Sequence, residues 1–119
     1  MANIVVLFEV KPTKEGMKKY LDHAAMLKTF LSGFEGFIRA ERFSSLNEDG
    51  KLLSMNVWTD EAAVEKWRNF VKHRICQKEG REKLFESYKI TVCSEIRSYT
   101  DIDRTQAPKD SNDYFGENV

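Results

Sequence analysis

A ferredoxin-like α+β fold, the βαββαβ plait with a four-stranded antiparallel sheet, is the architecture that this sequence predicts. Segments with a two-residue hydrophobic period and segments with a helical period follow one another as strand, helix, strand, strand, helix, strand. An Asp-Gly pair lies between the second and third strands, as is typical of a β-hairpin. With 119 residues, 41% of them hydrophobic and 12% aromatic, the chain is sized for one packed domain.

The first strand is predicted at residues 4–11, an apolar and β-branched run that ends at Pro12. Glu9 within this run is interpreted as lying at the end of the strand rather than as a buried functional carboxylate. Thr13 is a candidate cap for the helix that follows. The apolar face of that helix consists of Met17, Tyr20, Leu21, Ala24, Leu27 and Leu31. His23 flanks this face, so it is interpreted as a half-exposed surface residue rather than a ligand.

Residues 37–45 and 51–59 are predicted to form a hairpin about Asp49-Gly50. Simple alternation would place Phe37, Arg39, Glu41 and Phe43 on one face of the outgoing strand, and Ile38, Ala40, Arg42 and Ser44 on the other. The returning strand has Leu53, Met55 and Val57 on a core face and Ser54, Asn56 and Trp58 on the opposite face. An amide beside an indole is typical of a pocket wall or an oligomer interface.

The second helix is predicted to begin near Asp60 with Trp67 on its inward face, as core or as pocket wall. His73 follows six residues later, which on a straight helix separates the two side chains by roughly 120°. They meet only if the helix breaks near His73. A last strand is predicted at residues 88–99, so that residues 1–99 form the domain and residues 100–119 a polar C-terminal tail.

The balance of charges restricts the possible partners. Nineteen basic and nineteen acidic residues give a net charge of zero, which argues against nucleic acid or an anionic membrane as partner. The sequence shows neither a signal peptide nor an apolar stretch of membrane-spanning length, so a cytoplasmic location is expected. Cys76 and Cys93 are single cysteines without metal-site spacing, interpreted as reduced thiols with a disulfide left open.

The helices of such a plait cover only one face of its sheet. The second face is expected to carry Val5, Leu7, Phe37 and Phe43, or their opposites, and therefore to need a cover. A second copy of the chain is the simplest cover, which predicts a homodimer with facing sheets, the dimeric α/β barrel.

The sequence resembles the antibiotic biosynthesis monooxygenase (ABM) domain family of the dimeric α/β-barrel superfamily, over about residues 3 to 99. The resemblance is carried by Gly-Phe-Glu-Gly-Phe-Ile at 33–38, Ala-Glu-Arg-Phe at 40–43, Asn-Val-Trp-Thr-Asp-Glu-Ala at 56–62, Trp67 and His73-Arg74. Such domains include quinone-forming oxygenases, haem-degrading oxygenases, small isomerase-like enzymes and members without an assigned reaction.

The resemblance implies oxygen insertion into a small aromatic or hydroquinone-type molecule without flavin or metal. It implies Asn56 as hydrogen-bond donor, Trp58 and Trp67 as aromatic walls, and His73 as base. Arg42 or Arg97 would hold a developing oxyanion. Phe37 and Phe70 would add aromatic contacts to the substrate.

Two alternatives to a cofactor-independent monooxygenase stay open. One is a non-catalytic dimer that binds a small ligand or acts in a stress response. The other is a haem-binding or haem-degrading protein, whose branch of the family has a helix Trp, a first-strand Asn and a later helix His. Trp67 fits that pattern, but Glu9 stands where the Asn is expected and His73 follows Trp67 too closely.

Overall fold

The computed structural model describes residues 2–116, without the side chain of Val71. The elements in chain order are β1 (Ile4–Pro12), α1 (Met17–Leu31), β2 (Phe37–Ser44), β3 (Leu52–Trp58), α2 (Glu61–Arg68), α3 (Val71–Glu79), a π-helical turn (Gly80–Leu84), β4 (Phe85–Ser94) and α4 (Lys109–Tyr114). The four strands form an antiparallel sheet with the order β2-β3-β1-β4, which confirms the ferredoxin-like plait.

The predicted β2–β3 hairpin is confirmed, with Gly50 at φ +80° in its turn. A β-bulge between Phe37 and Arg39 shifts the register of β2. Phe37 therefore faces the helices, on the same side as Arg42, and packs edge-on to Trp58 with 5.5 Å between ring centroids. The predicted placement of Phe37 on one face with Arg39, Glu41 and Phe43 was wrong, because the bulge breaks the alternation.

Both connections into the helices have identifiable local causes. The Asp60 carboxylate accepts a hydrogen bond from the Ala63 amide at 2.8 Å, so the predicted start of α2 is confirmed. Thr13 does not cap α1. Its hydroxyl accepts from the Gly16 amide at 2.8 Å and stabilises the turn before the helix. Gly36 takes φ +84° against Ala63 and Thr59, where a side chain would clash.

The last strand ends at Ser94, five residues before the predicted end. Its partner β1 begins at Ile4, which pairs with Ser94, and beyond this pair the Glu95 amide donates one backbone hydrogen bond to the Asn3 carbonyl at 2.9 Å. The tail contains α4, a short helix that the sequence did not predict. Residues 117–119 of the predicted tail lie outside the described residues. In the described part of the chain, no helix has the length and apolarity needed to cross a membrane.

Glu9 lies inside β1 and not at its end, so its predicted position was wrong. Its carboxylate is on the sheet face away from the helices and is 3.5 Å from the Lys51 ammonium. Both cysteines are free, with Cys76 buried and Cys93 half-buried.

Candidate functional site

A cavity of about 1140 Å³ lies between the helices and the sheet. The buried core forms two clusters, one around Trp58 and Trp67 and the other around Val10, Tyr20 and Leu84. Small or polar side chains line the cavity and fill less of this layer than core residues would, namely Ala24 of α1, Ala40 of β2, and Ser54 and Asn56 of β3. The space persists because close-packed interiors need large side chains to fill them.

The floor of the cavity follows from the register of the sheet. Asn56 pairs with Val6 and Ala40, and Ser54 pairs with Phe8 and Arg42, all on the face toward the helices. These pairings form two adjacent rows about 7 Å apart along the strands.

Asn56 and Trp58 lie together on this floor, as the strand alternation predicted. The Trp58 ring is fully buried, and its Nε1 is 3.4 Å from Asn56 Oδ1. This long contact orients the carboxamide. The Asn56 NH₂ group has no partner within residues 2–116, although the side chain is only half exposed and lines the cavity. It is an unpaired donor on the cavity wall.

A helix break brings His73 to Trp67. α2 ends at Arg68 and Phe70 is extended (φ −61°, ψ 129°) before α3 begins. The imidazole then stacks on the indole of Trp67, with 4.9 Å between centroids and 25° between planes. The sequence predicted that the two side chains meet only if the helix breaks near His73. The helix does break, at Phe70, three residues before His73.

The hydrogen bond of His73 determines its tautomer. Its Nδ1 is 3.0 Å from the Trp67 carbonyl oxygen, which can only accept, so Nδ1 carries the proton. The Gln77 amide nitrogen, 3.3 Å from the same Nδ1, cannot donate to a protonated nitrogen. Burial lowers the pKa of His73 below 6.5, against the raising effect of the Trp67 carbonyl, and nearby Arg74 lowers it further. Near neutral pH the ring is uncharged, with Nε2 as a basic lone pair.

A second polar cluster joins α1 to α3 beside the cavity. Glu79 accepts from the Lys19 ammonium at 2.6 Å and lies 3.2 Å from His23 Nε2. His23 is half-buried, as predicted, but it also lines the cavity, as do Tyr20 and Cys76. Burial raises the pKa of Cys76, so this thiol stays protonated and is a poor nucleophile. Sequence reasoning missed the cavity positions of these residues because helical spacing marks them only as core or its border.

Six of the predicted site residues line this cavity: Phe37, Arg42, Asn56, Trp58, Trp67 and His73. Phe70 stacks on Trp67 with 5.6 Å between centroids, so it supports the wall without lining it. Arg97 follows the end of β4 and is exposed away from the cavity wall. The cavity is open on the β4 side, where Tyr88, Ile90 and Val92 stay half exposed toward the helices.

Donor groups for a metal ion are sparse. Across residues 2–116, no group of three or more His, Cys, Asp or Glu side chains is placed to hold a metal ion. The β1 side chains that line the cavity are Val6 and Phe8, whereas Glu9 is on the opposite face. The first strand therefore contributes no amide to the cavity, unlike the pattern of the haem-degrading branch.

The fold and the cavity define an α+β domain of the ferredoxin-like type with a cavity between its helices and its sheet. A sequence model of the family described as antibiotic biosynthesis monooxygenase matches residues 3–79. The chain belongs to this family of monooxygenases.

A curated relative is named jasmonate monooxygenase ABM, from Pyricularia oryzae. It is 34% identical over 87 residues, which are 73% of this chain and 40% of the relative. The chain thus spans about two fifths of that relative's length.

Solved structures share the fold at low sequence identity. Rv0793 from Mycobacterium tuberculosis has a TM-score of 0.74 at 13% identity, covering 83% of this chain and all (100%) of the other. SnoaB from Streptomyces nogalater, described as a cofactor-independent oxygenase, has a TM-score of 0.70 at 13% identity, covering 82% and 97%.

Proposed function

We propose that this protein is a cofactor-independent monooxygenase that oxidises a small phenol or hydroquinone with dioxygen. The observation that carries the proposal is the convergence of Asn56, Trp58, Trp67 and His73 on one cavity. The description of SnoaB as a cofactor-independent oxygenase, on the same fold, supports this reaction type.

Each of these side chains has a role that its geometry supports. Nε2 of His73 is the base that removes the phenolic proton, because Nδ1 is held by the Trp67 carbonyl. The NH₂ group of Asn56 stabilises the phenolate, and Trp58 and Trp67 hold the ring between aromatic surfaces. Removing the proton makes the ring electron-rich enough to reduce dioxygen directly.

The atoms and electrons balance without an external reductant. The phenolate carbon forms a bond to one oxygen atom of O₂, and the O–O bond then breaks. One oxygen stays on the ring as a quinone carbonyl, and the other leaves as water with two hydrogens from the substrate. The ring loses four electrons and O₂ gains them, so the protein has only to bind, orient and move protons.

Oxygen uptake with a panel of phenols and hydroquinones tests this function. We expect His73→Ala to lower kcat by roughly 10²-fold or more, as for loss of a general base, and Asn56→Ala by about tenfold or more. Trp67→Phe keeps a ring and is expected to show a smaller loss. Asn47→Ala removes an exposed turn amide and is the matched control for Asn56→Ala. Equal rates for wild type and His73→Ala would exclude His73 as base.

The same panel separates the two alternatives. If the protein only binds its ligand, these compounds would quench its tryptophan fluorescence, and no oxygen would be consumed. A haem protein would shift the Soret band of added haemin, and the shift would disappear in His73→Ala.

We also propose that the chain acts as a homodimer with facing sheets. The sheet face away from the helices carries Val5, Leu7, Leu53, Met55, Val57 and Phe43. All of these side chains are apolar. Most of them are only half-buried in a single chain, and Phe43 is 40% exposed. A second copy would remove this surface from water.

A further inference from the structure

The charges around the cavity differ from those of the whole chain. Seven cationic and two acidic side chains line it, whereas the chain has nineteen of each sign. The acidic ones are Glu41 and Glu82, and the cationic ones are Lys28, Arg39, Arg42, Arg68, Arg74, Lys78 and Arg81. Such local excess of one sign raises the concentration of oppositely charged ligands.

None of these seven cations forms an ion pair within the described residues. The ion pairs that the structure describes use lysines and His23, all of them outside this set. Five of the seven are arginines, and the planar guanidinium matches a carboxylate with two parallel hydrogen bonds. The cavity therefore keeps its carboxylate-binding side chains without a carboxylate partner.

Arg42 is the cation that lies in the same row of the sheet as a cavity hydroxyl. Its guanidinium carbon lies 5.4 Å from the centre of the Tyr20 ring, and the sheet pairs it with Ser54. The Ser54 hydroxyl is half-buried and has no hydrogen-bond partner within residues 2–116. The Arg42 guanidinium and the Ser54 hydroxyl are two hydrogen-bond donors at the Tyr20 end of the cavity.

We propose that the substrate carries an acid group, a carboxylate, which Arg42 and Ser54 bind at the end of the cavity away from His73. This inference rests on the proposed function for the identity of the reacting ring. Ser54 precedes Asn56 by two residues, so the acid subsite is about 7 Å along the strand from the amide that holds the phenolate. The substrate is then an elongated aromatic acid, with its hydroxyl and carboxylate at opposite ends.

Fluorescence titration with a matched ligand pair tests the acid subsite without requiring turnover. The probes are 6-hydroxy-2-naphthoate, which has the two groups at opposite ends, and 6-hydroxy-2-naphthamide, its uncharged counterpart. We expect the wild-type protein to bind the acid roughly tenfold more tightly than the amide, through a charge-assisted contact. Arg42→Gln should abolish this preference and leave the Kd of the amide within about twofold.

Two further variants control for fold and for bulk charge. Lys14→Gln removes one positive charge from an exposed position outside the cavity wall, and it should keep the preference. Arg42→Lys keeps the positive charge but loses the planar guanidinium, so it should keep part of the preference for the acid over the amide. Circular dichroism confirms that each variant is folded. If Arg42→Gln were unfolded, an unchanged acid preference in wild type at high salt would overturn the proposal, because an ionic contact must weaken.

The two proposals fail in different ways. Equal binding of acid and amide by the wild type would overturn the acid subsite, whatever the oxygen uptake. Equal losses in Lys14→Gln and Arg42→Gln would also overturn it, since the effect would then be one of total charge. A preference that depends on Arg42 together with no oxygen uptake would support the subsite and overturn the monooxygenase function.

Discussion

The imidazole of His73 combines two features that set its chemistry. Stacking on Trp67 buries the ring, and the Trp67 carbonyl holds its Nδ1 proton, so the exposed edge presents a lone pair. A surface histidine would be partly protonated near neutral pH, but here burial lowers the pKa, so the base form dominates.

The pH dependence of kcat/KM should report this group. A base must be unprotonated, so we expect activity to fall as the pH decreases through a pKa below 6.5 and to be level near neutrality. Oxygen uptake between about pH 5 and pH 8 measures this limb. His23→Gln should retain the limb, whereas the residual activity of His73→Ala should lack it. A limb that persists in His73→Ala would assign it to another group.

Sequence reasoning located individual residues where one rule controls them. Asn56 and Trp58 share a face because strand side chains alternate strictly, and the structure has them together on the cavity floor. The same rule fails for Phe37, because the β-bulge beside it moves its side chain to the opposite face of the sheet. No glycine or proline follows Phe37 to mark the bulge in the sequence.

At the scale of elements, the break between α2 and α3 decides the composition of the site. The Asn69 side-chain amide donates to the Glu65 carbonyl at 3.0 Å, and Asn69 Oδ1 accepts from Arg74 at 2.8 Å. These bonds end one helix and attach the next. The segment contains neither Gly nor Pro, so the helical period continues across it in the sequence. That is why the approach of His73 to Trp67 remained conditional.

The contact between α1 and α3 should depend on pH through Glu79. The hydrogen bond from Lys19 lowers the pKa of this carboxyl below 4.5, with further contributions from the Lys19 charge and from His23. A lowered folded-state pKa stabilises the fold above the unfolded pKa, and the stabilisation is lost as pH falls through the folded value. We expect Glu79→Gln to have a lower Tm than wild type at pH 7, and the difference to shrink at acid pH as the pH falls through the lowered folded-state pKa of Glu79.

Thermal unfolding followed by circular dichroism at neutral and at acid pH provides the measurement. Glu86→Gln is the matched control, because Glu86 is exposed on β4 and takes part in no ion pair within residues 2–116. A Tm difference for Glu79→Gln that stayed constant down to acid pH would show that the ion pairs are not its cause.

At the scale of the whole molecule, the sheet separates two surfaces with different side chains. The cavity lies on the helix side, where Arg42, Asn56 and Trp58 line it. The other side carries the apolar set around Val5 and Val57. Sequence alternation predicted that a second apolar face exists, but a pattern within one chain does not contain the shape of a partner.

Light scattering tests the homodimer directly. We expect a mass roughly twice the 13.9 kDa of one chain, and a single-chain mass for Val5→Lys, because a buried ammonium without a partner is costly at a facing-sheet interface. Leu46→Lys introduces the same charge at a fully exposed turn position and should leave the mass unchanged. A wild-type mass near 13.9 kDa would contradict the dimer.

Monomeric Val5→Lys would then show whether the site is complete within one chain. The cavity lining of Arg42, Asn56, Trp67 and His73 comes from one protomer, on the face opposite Val5. Sites this far apart with no shared partners are expected to act independently. We therefore expect Val5→Lys to bind 6-hydroxy-2-naphthoate within about threefold of wild type, by the same fluorescence titration. A larger loss in a folded monomer would mean that the second copy shapes the cavity through the sheet.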